Sequence, residues 1–186
     1  RTSDFDYDLP LRYIAQTPVE PRDQSRLLVL DRQSGDIQHT FFYNIGNFLR
    51  AGDILVVNET RVIPARLFAL KLPSGGKVEI LLLRKRDNLT WEALVGGKGL
   101  TEGKKLQVVP LKEGDRAPQA QIEAVLPGAQ RLIRFDEPLE LLFPKIGHAP
   151  LPPYIHTQLP DPERYQTVYA KTSGSAAAPT AGLHFT

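Results

Sequence analysis

Short apolar runs separated by turn residues fill the middle of the chain, and their spacing is that of β structure. Residues 66–72, 77–84, 89–95, 105–109, 121–125 and 131–135 are candidate strands. Between them lie Pro73-Ser74-Gly75-Gly76, Asp87-Asn88 and Gly96-Gly97-Lys98-Gly99, all turn chemistry. About six such strands predict a small closed barrel or a sandwich. Six of the fourteen glycines fall between 75 and 103, where tight corners need them.

The flanks have a different pattern. Residues 27–30 form a short apolar run closed by Asp31 and a turn at 33–36, so 37–40 is expected to fold back as a hairpin. Asn44 is placed to cap a short helix through Arg50, with Gly52 just past its end. Residues 54–58 predict a buried strand, too short and too β-branched for a helix. Seven of sixteen prolines lie between 138 and 162, which predicts an extended connection. Asp161-Pro162-Glu163 then opens a helix expected to reach about Lys171, and 173–182 is a loop of small residues. The simplest architecture is a β-barrel domain at 65–145, inserted into a mixed α/β domain made of 1–64 and 146–186.

Charge supports the same boundaries. The 186 residues carry 23 Lys+Arg and 21 Asp+Glu, a net +2. Residues 65–145 hold 14 basic and 10 acidic side chains, against 7 and 9 in 1–64 and 2 and 2 in 146–186. A basic insert thus sits between slightly acidic flanks. With no cysteine, this chain offers no disulfide, thiolate metal site, iron–sulfur cluster or Cys nucleophile. The four histidines lack an i, i+4 pair, and no P-loop, dinucleotide fingerprint or hydrolase elbow is present. No metal site is expected. No apolar stretch approaches the ~20 residues of a membrane span. The chain opens on Arg1 rather than Met and closes inside a motif at Thr186, so a partial chain is expected.

Four segments carry candidate chemistry. Asp4, Asp6 and Asp8 alternate with Phe5, Tyr7 and Leu9; extended, the acids share one side and could form a negative pocket, or equally a solvated acidic face. Pro21-Arg22-Asp23-Gln24-Ser25-Arg26 presents two guanidinium forks suited to carboxylate or phosphate, or to a surface ion pair with Asp23. Asn58-Glu59-Thr60-Arg61 follows the carboxyl end of the expected strand 54–58, where α/β folds place ligands. Residues 173–186 hold no formal charge, and there Thr180 and His184 offer the strongest side-chain chemistry. A tight connection between elements would explain that stretch equally well.

Taken together, Asp4–Pro10, Pro21–Arg26, the run Gly52-Asp53-Ile54-Leu55-Val56-Val57-Asn58-Glu59-Thr60-Arg61-Val62-Ile63-Pro64-Ala65-Arg66-Leu67, Gly75–Leu83, Leu151-Pro152-Pro153-Tyr154-Ile155, Asp161–Tyr169 and Ala177–Thr186 closely resemble the S-adenosylmethionine:tRNA ribosyltransferase-isomerase family of queuosine biosynthesis. The motifs follow family order along the whole chain. Glu59 stands where Asp is common and Ala176 where Val is familiar. Family members continue well past the Leu-His-Phe-Thr motif, so the resemblance also implies that this is an N-terminal part.

The resemblance implies an α/β barrel-like catalytic domain interrupted by a small β-barrel. It implies transfer and isomerisation of the ribosyl group of S-adenosylmethionine onto 7-aminomethyl-7-deazaguanine at the tRNA wobble position. Adenine and methionine leave, and epoxyqueuosine-tRNA remains. S-adenosylmethionine is then a consumed substrate with no further cofactor, and the enzyme is expected to be cytoplasmic and monomeric. Matched to that chemistry, His184 is the first candidate acid/base, with Asp6 and Asp8 in reserve. Arg22, Arg26, Asn58, Thr60, Arg61, Arg66, Tyr154, Pro179, Thr180 and Gly182 are candidate substrate-binding residues. Lys71, Lys77, Arg84, Lys85 and Arg86, near hairpin ends of the basic insert, are candidate tRNA-backbone contacts, with Arg84, Lys85 and Arg86 foremost, or equally a solvated charged face. A non-catalytic RNA-binding module and another S-adenosylmethionine-dependent transferase are the rival readings. The first lacks aromatics interleaved with Lys and Arg.

Overall fold

The computed structural model describes residues 1–157 and 159–186. The chain divides into two compact units: residues 1–58, 151–168 and 179–186 form one, and 59–150 with 169–178 form the other. Relative to the expected boundaries at 64 and 146, residues 59–64, 146–150 and 169–178 fall with the barrel.

In the first unit, β1 (Arg26–Leu30) and β2 (Ile37–Phe41) pair antiparallel, with Arg26 opposite Phe41 and Leu30 opposite Ile37. Asp31 makes the turn, its Oδ1 accepting from the amides of Gln33 and Ser34 at 2.8 Å each. These two bonds favour the ionised carboxylate and hold its pKa below the usual value. The helix expected at 44–50 is a 3-10 segment, Phe42–Phe48. Asn44 does not cap it; its side-chain amide donates to Thr40 Oγ1 instead. The helix expected to reach Lys171 stops at Tyr165. Asp161 does cap it, accepting from the Glu163 amide at 2.9 Å. The next residue, Gln166, turns extended, and its carbonyl takes a hydrogen bond from Arg22 in place of a helical amide.

Residues 54–58 are no strand. Ile54 and Val56 are 88% and 87% exposed, and no ladder pairs with them among the described residues. An apolar run shows a preference for burial but names no partner. The expected alternation at 4–9 also breaks, because Thr2–Phe5 coils into a 3-10 turn and leaves Phe5 and Tyr7 exposed. Among its described residues the first unit holds a hairpin and 3-10 turns, so an α/β barrel is not visible in it.

The second unit is built on a closed six-stranded antiparallel barrel. Its strands are β4 (Arg66–Lys71), β5 (Lys77–Lys85), β6 (Thr90–Gly96), β7 (Lys105–Val108), β8 (Gln119–Val125) and β9 (Gln130–Phe135). Around the barrel they run β4-β5-β6-β9-β8-β7, with β7 returning to β4. Every second residue points inward: Leu67 and Ala69, Val78 and Ile80 and Leu82, Ala93 and Val95, Leu106 and Val108, Ala120 and Ile122, Ile133 and Phe135 are buried. Closure leaves no unpaired edge. A single turn of helix, α1 (Phe143–Ile146), plugs one mouth, where Phe143 meets Trp91 edge to face at 6.2 Å.

Two strands outside the barrel belong to this unit. β3 (Thr60–Val62) pairs in parallel with β10 (Thr172–Ser175), and Ile63 N–H continues the ladder to the Ser175 carbonyl. Neither segment has a strand-like pattern of its own, and more than a hundred residues separate them. Gly147 is required by proximity: a Cβ there would lie 2.5 Å from the Pro64 carbonyl oxygen. That approach lets His148 and Arg66 exchange backbone hydrogen bonds.

Candidate active site

Of the candidate residues, Arg22, Arg26, Thr180 and His184 come together in the first unit. They line a cleft of about 660 Å³ whose other walls include Ala15, Pro18, Val19 and Leu183. That volume lies within the range of small-molecule sites, and Thr17, Gln24, Ser25 and Arg164 add further polar side chains to its lining.

Chain tracing explains how these side chains meet. Arg22 sits in the 3-10 turn Arg22–Gln24, half-buried just before β1. Its Nη1 donates to the carbonyls of Gln166 (2.6 Å) and Leu183 (3.4 Å), and its Nη2 to that of Glu163 (3.2 Å). One rigid guanidinium fork thus ties three carbonyls on two remote backbone stretches, 163–166 and 183, to the start of β1. Arg22 therefore reads as a brace for the cleft; its donors are already directed at protein carbonyls. Arg164, a residue the motif reading passed over, does similar work, donating to the Val19 carbonyl at 2.8 Å and pairing with Glu20 at 3.0 Å. Arg26 is exposed at the start of β1 and has no carboxylate partner among the described residues. It is the cation of the cleft open to a ligand.

His184 ends the short 3-10 segment Thr180–His184. Its Nδ1 lies 3.0 Å from the Ala181 carbonyl oxygen. A carbonyl only accepts, so Nδ1 carries the hydrogen and Nε2 keeps the lone pair in the neutral ring. Phe42 packs on the imidazole at 5.2 Å between centroids and meets Phe185 edge to face at 4.9 Å. Sequence reasoning missed Phe42, because nothing in a hairpin sequence says which remote ring it will touch. Gly182 is buried, and its amide closes the turn onto the Pro179 carbonyl at 2.8 Å.

The other candidates lie elsewhere. Asp6 and Asp8 are exposed and line no part of the cleft. Tyr154 offers its backbone carbonyl to the Gln16 side chain, and its ring is exposed. Asn58 is the last residue of the first unit and is exposed. Thr60 and Arg61 lie on β3 and Arg66 opens β4, all within the barrel unit. Arg66 Nε stands 2.9 Å from Glu79 Oε1. Beside it, burial and the Arg66 charge hold the His148 pKa below the ordinary imidazole value. At the end of β5, Lys85 pairs with Glu140 and Arg86 with Glu92. Burial alone would raise the Glu140 pKa, but the hydrogen bond from Lys85, one from the Glu140 amide and the Lys85 charge bring it down. No group of three His, Asp or Glu side chains suited to a metal ion occurs among the described residues. None of their helices is long and apolar enough to cross a membrane.

Residues 2–186 match the family model described as queuosine biosynthesis protein. The S-adenosylmethionine:tRNA ribosyltransferase-isomerase of Dehalococcoides mccartyi (strain CBDB1) is 50% identical over 186 residues, 100% of this chain and 54% of that protein. The protein of the same name from Staphylococcus haemolyticus (strain JCSC1435) is 52% identical over 184 residues, 98% of this chain and 53% of its own length. A crystal structure of S-adenosylmethionine tRNA ribosyltransferase from Thermotoga maritima is 39% identical, covering 71% of this chain and 44% of that one with a TM-score of 0.33. The chain spans about half the length of the curated relatives it matches. Matched along virtually its whole length, the chain belongs to the queuosine biosynthesis protein family.

Proposed function

We propose that this chain forms part of an S-adenosylmethionine:tRNA ribosyltransferase-isomerase. The observation that carries the reading is the cleft holding His184 and Arg26, in a chain matched over its whole length by a relative of that name. The reaction transfers the ribosyl group of S-adenosylmethionine to the aminomethyl nitrogen of 7-aminomethyl-7-deazaguanine at the wobble position of tRNA. A carbon–nitrogen bond forms there, the bonds to sulfur and to adenine break, and the ribose rearranges to the epoxycyclopentanediol. The reaction is redox-neutral, so S-adenosylmethionine serves as substrate and no resident cofactor is called for.

His184 is the acid/base in this reading. Its Nε2 takes a proton from the carbon beside the sulfonium or from the attacking amine, and a proton must reach adenine as it leaves. Arg26 holds the methionine carboxylate, while Thr180 and the backbone of Pro179–Gly182 lie against adenosine. Arg22 keeps that loop in place. Asp6, Asp8, Asn58, Thr60, Arg61, Arg66 and Tyr154 lie outside the lining of this cleft. We read 1–64 and 146–186 as part of an α/β barrel-like catalytic domain, a reading supported by the bare apolar run at 54–57, which such a fold would cover. A tRNA substrate implies a cytoplasmic site of action, and the protein is proposed to act as a monomer.

Product analysis tests the reaction. The 186 residues, alone and joined to the C-terminal half of the Dehalococcoides relative, are incubated with S-adenosylmethionine and tRNA bearing the aminomethyl base. Free adenine and methionine in equal amounts, with a modified tRNA, are expected. S-adenosylhomocysteine instead would identify a methyltransferase, and neither product would favour a binding module.

A further inference from the structure

The barrel has two ends, and the strand register assigns each loop to one of them. The turns 72–76, 97–104 and 126–129 share one end, because β4 finishes there and β5, β7 and β9 begin there. Hydrogen bonds knit these turns into a continuous surface. Lys71 Nζ donates to the Lys98 carbonyl at 3.0 Å, Leu72 N–H to that of Lys105 at 2.9 Å, and Arg131 Nε to that of Leu100 at 2.9 Å.

Charge is sorted between the ends. Residues 71–77, 96–105 and 125–131 contain Lys71, Lys77, Lys98, Lys104, Lys105 and Arg131 against a single acid, Glu102. Lys77, Lys98 and Lys105 are exposed, and none has a carboxylate partner among the described residues. Lys71 and Arg131 donate to carbonyls, which leaves their charge intact. The opposite end is close to neutral: Lys85–Glu140, Arg86–Glu92 and Arg116–Glu137 are ion pairs. Five of the six strands have six to nine residues and separate the ends by roughly 20 Å, more than the ~8 Å Debye length at physiological ionic strength. The ends therefore act independently, and the barrel's positive surplus resides at one of them.

Resting on the tRNA reading above, we propose that the 72–76, 97–104 and 126–129 end of the barrel docks the phosphodiester backbone of the RNA. Point charges on flexible lysines suit phosphate. The three segments contain no aromatic residue and no amide side chain other than Gln130, so the surface holds the backbone and does not read bases. Their turns are rich in glycine, which lets the ammonium groups stand clear of bulky neighbours. This differs from a docking surface at Arg84, Lys85 and Arg86, where two of the three cations already meet carboxylates.

The test is fluorescence anisotropy of the 186-residue chain with a labelled tRNA transcript across a salt series. Two triple variants are compared: Lys77→Gln with Lys98→Gln and Lys105→Gln, and Arg84→Gln with Lys85→Gln and Arg86→Gln. The lysine triple is expected to bind more weakly and to flatten the plot of log affinity against log salt by about two to three units, from ~0.7–0.9 per neutralised phosphate. The arginine-end triple is expected to leave the slope nearly unchanged. Lys98→Glu alone, with its circular dichroism checked, guards against a folding artefact and is expected to weaken binding in the same direction. An unchanged slope in the lysine triple, a loss confined to residues 84–86, or no tRNA binding by the parent chain overturns the proposal. Product release is scored separately. Lysine-dependent binding without adenine release would sink the reaction and leave the docking surface standing, and adenine release with a lysine-independent slope would do the reverse.

Discussion

His184 donates its Nδ1 hydrogen to the carbonyl of Ala181, three residues back in the same 3-10 turn, and so presents Nε2 as its basic nitrogen. The bond sets the tautomer before any ligand arrives. Nitrogen-15 spectra of the histidines above neutral pH should show the lone-pair signal of His184 on Nε2. A lone-pair signal on Nδ1 would contradict the hydrogen bond. In the chimeric enzyme, His184→Ala should lower the rate of adenine release by about 10²–10⁴-fold, the usual contribution of one general acid–base. Unchanged turnover would remove His184 from the mechanism.

The second prediction concerns Arg22. A lysine cannot reach the carbonyls of Glu163, Gln166 and Leu183 together, so Arg22→Lys should lower stability by about 1–3 kcal/mol through lost charge-assisted bonds. Amide exchange at 183–185 should accelerate more than exchange in the barrel. Equal acceleration everywhere would mean a global effect rather than a released brace.

At His148 the folded state holds the imidazole pKa below 6.5, chiefly through burial and then through Arg66. The unfolded chain then binds the proton more readily, so stability is complete above about pH 6.5 and falls as the pH drops through the lowered folded value. Urea midpoints taken from pH 8 to pH 5 should decline more steeply for the parent chain than for His148→Gln, which carries no titrating ring. Parallel pH profiles would contradict the assignment.

Gly147→Ala is expected to destabilise the barrel unit even though its backbone angles are ordinary (φ −94°). The new methyl meets a backbone oxygen at 2.5 Å, and backbone moves less cheaply than a side-chain tip. About 1–3 kcal/mol is the usual cost of overpacking. A midpoint identical to the parent's would show that Pro64 yields freely.

Six strands of the barrel were legible because each carries its own instruction. Period-two alternation at Leu67 and Ala69 or at Val78, Ile80 and Leu82, bounded by Gly and Asn turns, is a local signal of a half-buried strand. The same logic failed at 54–57, where four apolar residues in a row stated a preference for burial and stay exposed among the described residues. It also overreached at Pro162, where a good cap and a good first turn were ended by one remote guanidinium. The cleft was legible by composition, since Arg22, Arg26, Thr180 and His184 were all candidates. Their separate roles were not.

The sequence by itself determined the family, the barrel and the chemical types gathered near His184, because motifs, alternation and turn residues are local properties of the chain. Tertiary structure alone decided that Arg22 is a brace while Arg26 is open, that β3 pairs with β10, and that six of the insert's cations share one end of the barrel with a single acid. Each of these depends on which distant residues meet, and a hydrogen bond or ion pair between such residues leaves no periodic trace along the chain.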